Sequence, residues 1–192
     1  MVIFPIITIA IFAKPIVLAW VGINYLDSVE VIQFLVFCNV FAFITYPTSS
    51  LLIAKERQKT LYFVSVLLPF IFWSGIALTI SFLGINSFAI FKLIAFVFSA
   101  FVFYKLMINY LNFNIFESLQ KIFSPMLIPF LFLIFVSFFV RDYLPDEKSK
   151  INLLSVAAVM SVVLVASFVI QYFVSESWRQ QVSKTLGLFK NK

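Results

Sequence analysis

The chain of 192 residues has no histidine, one cysteine, four glycines and only 11% charged residues. Each shortage excludes something. Without histidine, the usual general base near neutral pH is missing. Cys38 alone cannot close an internal disulfide, and inside an apolar run it reads as a small packing residue. The scattered glycines form no phosphate-cradling loop. No group of Cys, Asp or Glu has the spacing of a metal site. No Asn-x-Ser/Thr glycosylation acceptor occurs. A soluble domain carries about 25% charged residues, so 11% is too few to cover one. The expectation is a chain that is no enzyme and holds no metal and no cofactor.

What is there instead is apolar length. Hydrophobic residues make up 63% of the chain, 27 of them Phe. Crossing the hydrocarbon core takes about 20 apolar residues in a helix. Six such stretches run 2–21, 31–54, 61–83, 85–108, 124–140 and 151–174. Backbone groups in lipid must pair internally, which admits helices or a closed barrel. The runs are continuous rather than alternating, so the fold class predicted is all-α: an integral membrane helical bundle with six transmembrane helices. Residues 1–174 form this bundle and 175–192 a basic amphipathic tail. The first stretch lacks the basic start and small-residue cleavage site of a signal peptide. Because it opens directly into a span, either the helix begins at Met1 or the chain is the carboxy-terminal part of a longer protein.

The net charge of +6 is read as a membrane signature and not as a nucleic-acid surface. Lys and Arg collect on the cytoplasmic side of membrane spans. With the amino terminus inside, the inner connections hold Lys55, Arg57, Lys59, Lys105, Lys121, Arg179, Lys184, Lys190 and Lys192. The outer ones hold Arg141, Lys148 and Lys150, offset by Asp142, Asp146 and Glu147. Both termini are therefore expected in the cytoplasm. In 108–123, Ile108, Leu111, Ile115, Leu119 and Ile122 form an apolar stripe that suits a helix on the inner surface. In the tail, Trp178, Val182, Leu186 and Phe189 form another.

Candidate functional residues are the polar and helix-breaking ones inside spans. Lys14 and Lys92 each lie seven residues from an outer span end, about 10 Å deep at 1.5 Å per residue. Intramembrane charges usually face a cavity or a partner. Three readings stand: both ammonium groups attract an anionic substrate, such as a phosphate, into one cavity; each snorkels to the outer headgroups; or Lys14 pairs with Asp27 or Glu30. Pro15 and Pro47 each remove a backbone donor, freeing the carbonyls of Ile11 and Phe43 and kinking their helices. Asn39, Tyr46 and Ser50 share one face of the second span, as a polar path or as interhelical hydrogen bonds. All eight acidic residues lie outside the span centres.

The stretch Ile11-Phe12-Ala13-Lys14-Pro15-Ile16-Val17-Leu18-Ala19-Trp20-Val21-Gly22, followed by Tyr25, resembles a recurrent segment of the bacterial polysaccharide and O-antigen flippases. These belong to the multidrug/oligosaccharidyl-lipid/polysaccharide exporter superfamily. Tyr46-Pro47 and Ser50 to Ala54, with the basic residues after them, are also similar, as is Phe82-Leu83-Gly84-Ile85 through Ala89. The likeness covers about the first 105 residues. It departs at Asn86-Ser87, where the family's hairpin usually has a second glycine. It implies transport of an undecaprenyl-pyrophosphate-linked oligosaccharide across the bacterial cytoplasmic (inner) membrane for polysaccharide or lipopolysaccharide biosynthesis. The partners implied are membrane lipids and the lipid-linked oligosaccharide substrate. Family members rock two bundles against each other, and this chain resembles one. An amino-terminal half or a second chain would then complete it. A multidrug-type exporter and a non-transporting accessory subunit are the alternatives.

Overall fold

Hydrocarbon offers a backbone no hydrogen-bond partner, so a long apolar run closes its bonds on itself as a helix. The computed structural model describes residues 3–54, 56, 58–111, 120, 124–145, 147–176, 178–180 and 182–184, and helix dominates them. In chain order they are α1 (Ile3–Ile11), α2 (Ala13–Trp20), α3 (Ser28–Ala54), α4 (Gln58–Leu83), α5 (Asn86–Leu111), α6 (Leu127–Arg141) and α7 (Lys150–Val174). Short 3-10 turns at Ile23–Tyr25 and Ser124–Met126 lead into α3 and α6. No strand occurs among the described residues. Five helices are long and apolar enough to cross a membrane, and α1 with α2 makes a sixth span if the bent pair counts as one. The chain is an all-α, multi-pass membrane bundle.

The helix ends follow from local chemistry. Gly22 (φ 100°) and Gly84 (φ 54°) take the left-handed conformation that ends a helix at no cost to glycine. Gly22 N–H donates back to the Val17 carbonyl at 3.1 Å, and Gly84 N–H to Ile80 at 3.0 Å. Ser149 caps α7, its hydroxyl accepting from Ile151 N–H at 3.2 Å. Ser175 leaves helical geometry after α7. Its hydroxyl accepts from Trp178 N–H at 3.4 Å, opening a helical turn in which Arg179 pairs with Glu176 at 3.6 Å. The turns at Gly22 and Gly84 and the N-cap Ser149 fall on one face of the bundle, called here the Gly22 face, where Glu30 meets Asn86 and Ser149 N–H meets the Ala19 carbonyl. The turn at Glu56 and the end of α7 at Ser175 fall on the opposite one.

Two groups of helices make the bundle. In one, α5 packs along both α3 and α4; in the other, α6 packs on α7. The first span joins them, with α1 against α3, α6 and α7, and α2 against α7 and α3. Its residues are accordingly the most enclosed: Phe4, Phe12 and Ala13 are 0% exposed. A helix apolar on all sides belongs in such a central position. Phe4, Ile7, Leu133 and Val163 form the main core, and Phe4 meets Phe168 edge-on at 5.6 Å. Leu52, Val64 and Phe103 form a second core between α3, α4 and α5. The outer helices keep apolar faces for lipid, such as Val66, Phe70 and Trp73 on α4 and Leu131 and Phe135 on α6.

Several boundaries differ from the sequence reading. The first span is not one helix but two, bent by 59° at Phe12. The second begins at Ser28, three residues early, because the turn at Ile23–Tyr25 feeds straight into it. Helix α4 too begins three residues early, at Gln58. Ile108 and the backbone of Leu111 belong to α5 and not to a separate surface helix. The rest of the 108–123 stripe, apart from residue 120, lies outside the described residues, as do Leu186 and Phe189 of the tail stripe, and also Lys55, Arg57, Lys121, Lys190 and Lys192.

Helices in lipid associate by close packing, since lipid tails are as apolar as leucine. Gly75 provides such a fit: an ideal Cβ there would overlap the ring of Phe91 across the α4–α5 seam. Gly75→Ala should therefore cost about 1–3 kcal/mol through overpacking. Unfolding in mixed micelles measures this. Pairing it with Phe91→Leu should recover part of the loss, and equal losses with either ring would show that Phe91 is not the obstacle.

Candidate functional site

The bend in the first span organises a groove that gathers charged side chains. Pro15 has no N–H, and its ring crowds the carbonyl four residues earlier, on Ile11. α1 ends at Ile11, Phe12 turns through φ −86° and ψ 7°, and α2 resumes at Ala13. Phe12 N–H still donates to Thr8 (3.0 Å) and Ile16 N–H to Phe12 (2.9 Å), so the chain bends without unwinding. Ala10 lies in the last turn of α1, where helix carbonyls run out of intrahelical donors. Gln33 of α3 reaches across and donates its Nε2 to the Ala10 carbonyl at 3.0 Å. At the far end of α2, Ser149 N–H donates to the Ala19 carbonyl at 3.2 Å. The segment is thus tied on both sides of the bend. Thr8, wholly buried in α1, satisfies its hydroxyl on the Phe4 carbonyl at 2.9 Å.

The bend also carries Lys14 away from the helix interior. Pro15 is buried, whereas Lys14 is exposed. Lys14, Pro15, Arg141 and Asp142 line a groove of about 190 Å³ between α2 and the end of α6. Arg141 Nε donates to Asp142 Oδ1 at 3.2 Å, and the guanidinium lies over the Phe138 ring, 4.2 Å from its centre. Both contacts hold the guanidinium in place while its two Nη groups have no protein partner among the described residues. Trp20, Tyr25 and Tyr143 are exposed on the same face of the bundle. Amphipathic rings of this kind sit at headgroup level.

The sequence-derived candidates are not brought to one place. Lys14 lies beside the last turn of α6 and not deep in a straight helix, because the bend shortens the axial rise of α2. Neither Asp27 nor Glu30 pairs with it; Glu30 instead accepts from Asn86 at 3.2 Å, tying the starts of α3 and α5 together. Lys92 is exposed on α5 and does not line the groove. Asn39, Tyr46 and Ser50 do share one face of α3, and all three are exposed, Tyr46 at 73%. Asn39 Nδ2 bonds the Leu35 and Val36 carbonyls of its own helix at 3.3 Å, and Ser50 Oγ the Tyr46 carbonyl at 3.2 Å. That stripe faces away from the rest of the chain. Pro47 falls within α3, but its side chain lies outside the described residues. No group of His, Cys, Asp or Glu able to hold a metal occurs among the described residues.

Two participants were not evident from sequence. Gln33 is an isolated amide near the start of the second span, and only its distance to Ala10 gives it a role. Arg141 read as one loop charge among several until α2 was seen to lie beside it. Together the fold and the groove define a multi-span α-helical membrane protein with a bent helix pair at its centre. No protein-family model, curated protein or solved structure matches the chain.

Gln33→Leu removes the cross-helix donor and leaves the Ala10 carbonyl short of a partner. The expected loss is about 1–2 kcal/mol, between the average worth of an interhelical bond in a membrane and the cost of a buried orphan acceptor. Thermal unfolding in detergent checks it, with Gln33→Glu as the variant that keeps shape but removes the amide donor. Unchanged stability in both would mean that the bond adds nothing.

Proposed function

We propose that this chain is part of a membrane flippase that moves undecaprenyl-pyrophosphate-linked oligosaccharide across the bacterial cytoplasmic membrane. The observation that carries the reading is the broken first span, buried at the centre of the bundle and bent by 59°. Discontinuous helices near the middle of a bundle are where transporters place substrate sites and moving parts, because only there can irregular backbone be satisfied. The segment that resembles the flippases, Ile11 to Gly22 with Tyr25, is the same one that holds the bend, α2 and the Gly22 turn. The chain acts by conformational change and not by covalent chemistry. Its termini lie in the cytoplasm, on the side where Lys and Arg of the connections concentrate. The Gly22 face is then the outer one.

An accessory, non-transporting subunit is the second reading, favoured by the outward-facing Asn39, Tyr46 and Ser50 and by the separation of Lys92 from the groove. A polar face turned out of a bundle fits contact with another membrane protein. A proton- or sodium-coupled multidrug exporter has less support, since that coupling uses a carboxylate within a span.

Deleting the chain in a polysaccharide-producing host should abolish surface glycan and leave the lipid-linked precursor on the inner leaflet. Pro15→Ala, which allows the first span to straighten, should lower export at least about tenfold with normal membrane levels. Full surface glycan after deletion would rule out the flippase reading. Glycan loss by deletion with wild-type export from Pro15→Ala would favour the accessory role.

A further inference from the structure

We propose that the groove between α2 and the end of α6 binds the phosphate group of a membrane lipid, held between the Lys14 ammonium and the Arg141 guanidinium. The charge balance points this way. Two cations and one carboxylate line the groove. Asp142 engages only Nε of Arg141, which leaves the Nη pair to donate to a second anion. A guanidinium presents its donors as a planar fork that matches phosphate oxygens, and the Phe138 ring fixes that plane. Lys14 adds a mobile point charge from the opposite wall.

Depth and size narrow the ligand to a lipid headgroup. Arg141 closes an 18-residue apolar span, so its charge stands where hydrocarbon gives way to headgroups. The exposed rings of Trp20, Tyr25 and Tyr143 mark the same level. A volume of about 190 Å³ is below the ~300 Å³ of the smallest ordinary ligand clefts. It suits a phosphate but not a sugar chain. Below the groove, Phe138, Phe135 and Leu131 form an exposed apolar strip along α6. An acyl chain lying on that strip would bring its phosphate to Arg141. The strip gives a lipid an advantage that free phosphate lacks. The site does not depend on transport, so it stands or falls separately from the flippase reading.

The full chain carrying Trp73→Phe and Trp178→Phe, so that Trp20 is the sole indole, placed in phosphatidylcholine nanodiscs and titrated with brominated phosphatidylglycerol, provides the test through quenching of Trp20. Brominated phosphatidylcholine is the reference. Phosphatidylglycerol should quench at lower mole fraction, and the Lys14→Gln, Arg141→Gln double variant should weaken it about ten- to thirtyfold, as losing two interfacial cations implies. Asp142→Asn should tighten binding a few fold, a gain that misfolding cannot produce. Lys105→Gln, at the other end of the bundle, should leave it unchanged. A polyprenyl diphosphate that competes with phosphatidylglycerol, where inorganic pyrophosphate does not, would identify a lipid-borne phosphate as the ligand. Competition by inorganic pyrophosphate as strong as by the lipids would overturn the lipid assignment. Equal quenching by the two brominated lipids, or a preference that survives the double variant, would overturn the site.

Discussion

In hydrocarbon a backbone carbonyl must find a donor, and Pro15 removes one from the most enclosed helix of the bundle. The bend, and the cross-helix bond to the neighbouring Ala10 carbonyl, lie beside that deficit. The first span bends at Phe12 instead of running straight. Gln33 comes across from α3 to the last turn of α1. Ser149 secures the other end of α2 from the connection before α7. The two helix groups are therefore tied by hydrogen bonds to the bent pair on both sides of the bend, in addition to packing, which in lipid is worth only what close fit provides.

The bend also has an electrostatic consequence. A straight helix would leave Lys14 within hydrocarbon, where a charge is costly. Turning α2 places Lys14 beside Arg141 and Asp142 at the end of a span, within the level marked by exposed aromatic rings. The same change of direction resolves a backbone problem and a charge problem. It creates a cationic groove that neither α2 nor α6 possesses alone. Lys92 has no such device; on a continuous helix it stays exposed, one turn and a half from the start of α5.

The fold was legible to the extent that periodicity and length determine it. Long apolar runs name their helices because lipid permits few other structures, and Gly22 and Gly84 mark ends because their conformation suits few other residues. The candidate site was legible only in part. Lys14 and Pro15 could be singled out as residues unusual within a span. Arg141 could not, since a basic residue at a span end is ordinary. Spacing puts Asn39, Tyr46 and Ser50 on one face of a helix, but spacing along a helix cannot tell which way that face turns.

The sequence by itself determined the solvent, the helical class and the positions of most span ends, because each depends on local composition and on hydrogen bonds a few residues apart. The tertiary structure decided that the first apolar stretch is central and bent, that Gln33 serves Ala10, and that Lys14 meets Arg141 rather than Lys92. Those outcomes depend on how helices far apart in sequence are rotated and tilted against one another. Rotation and tilt are set by the fit of many side chains at once, including Gly75 against Phe91 and Phe4 against Phe168, and no single segment contains that information.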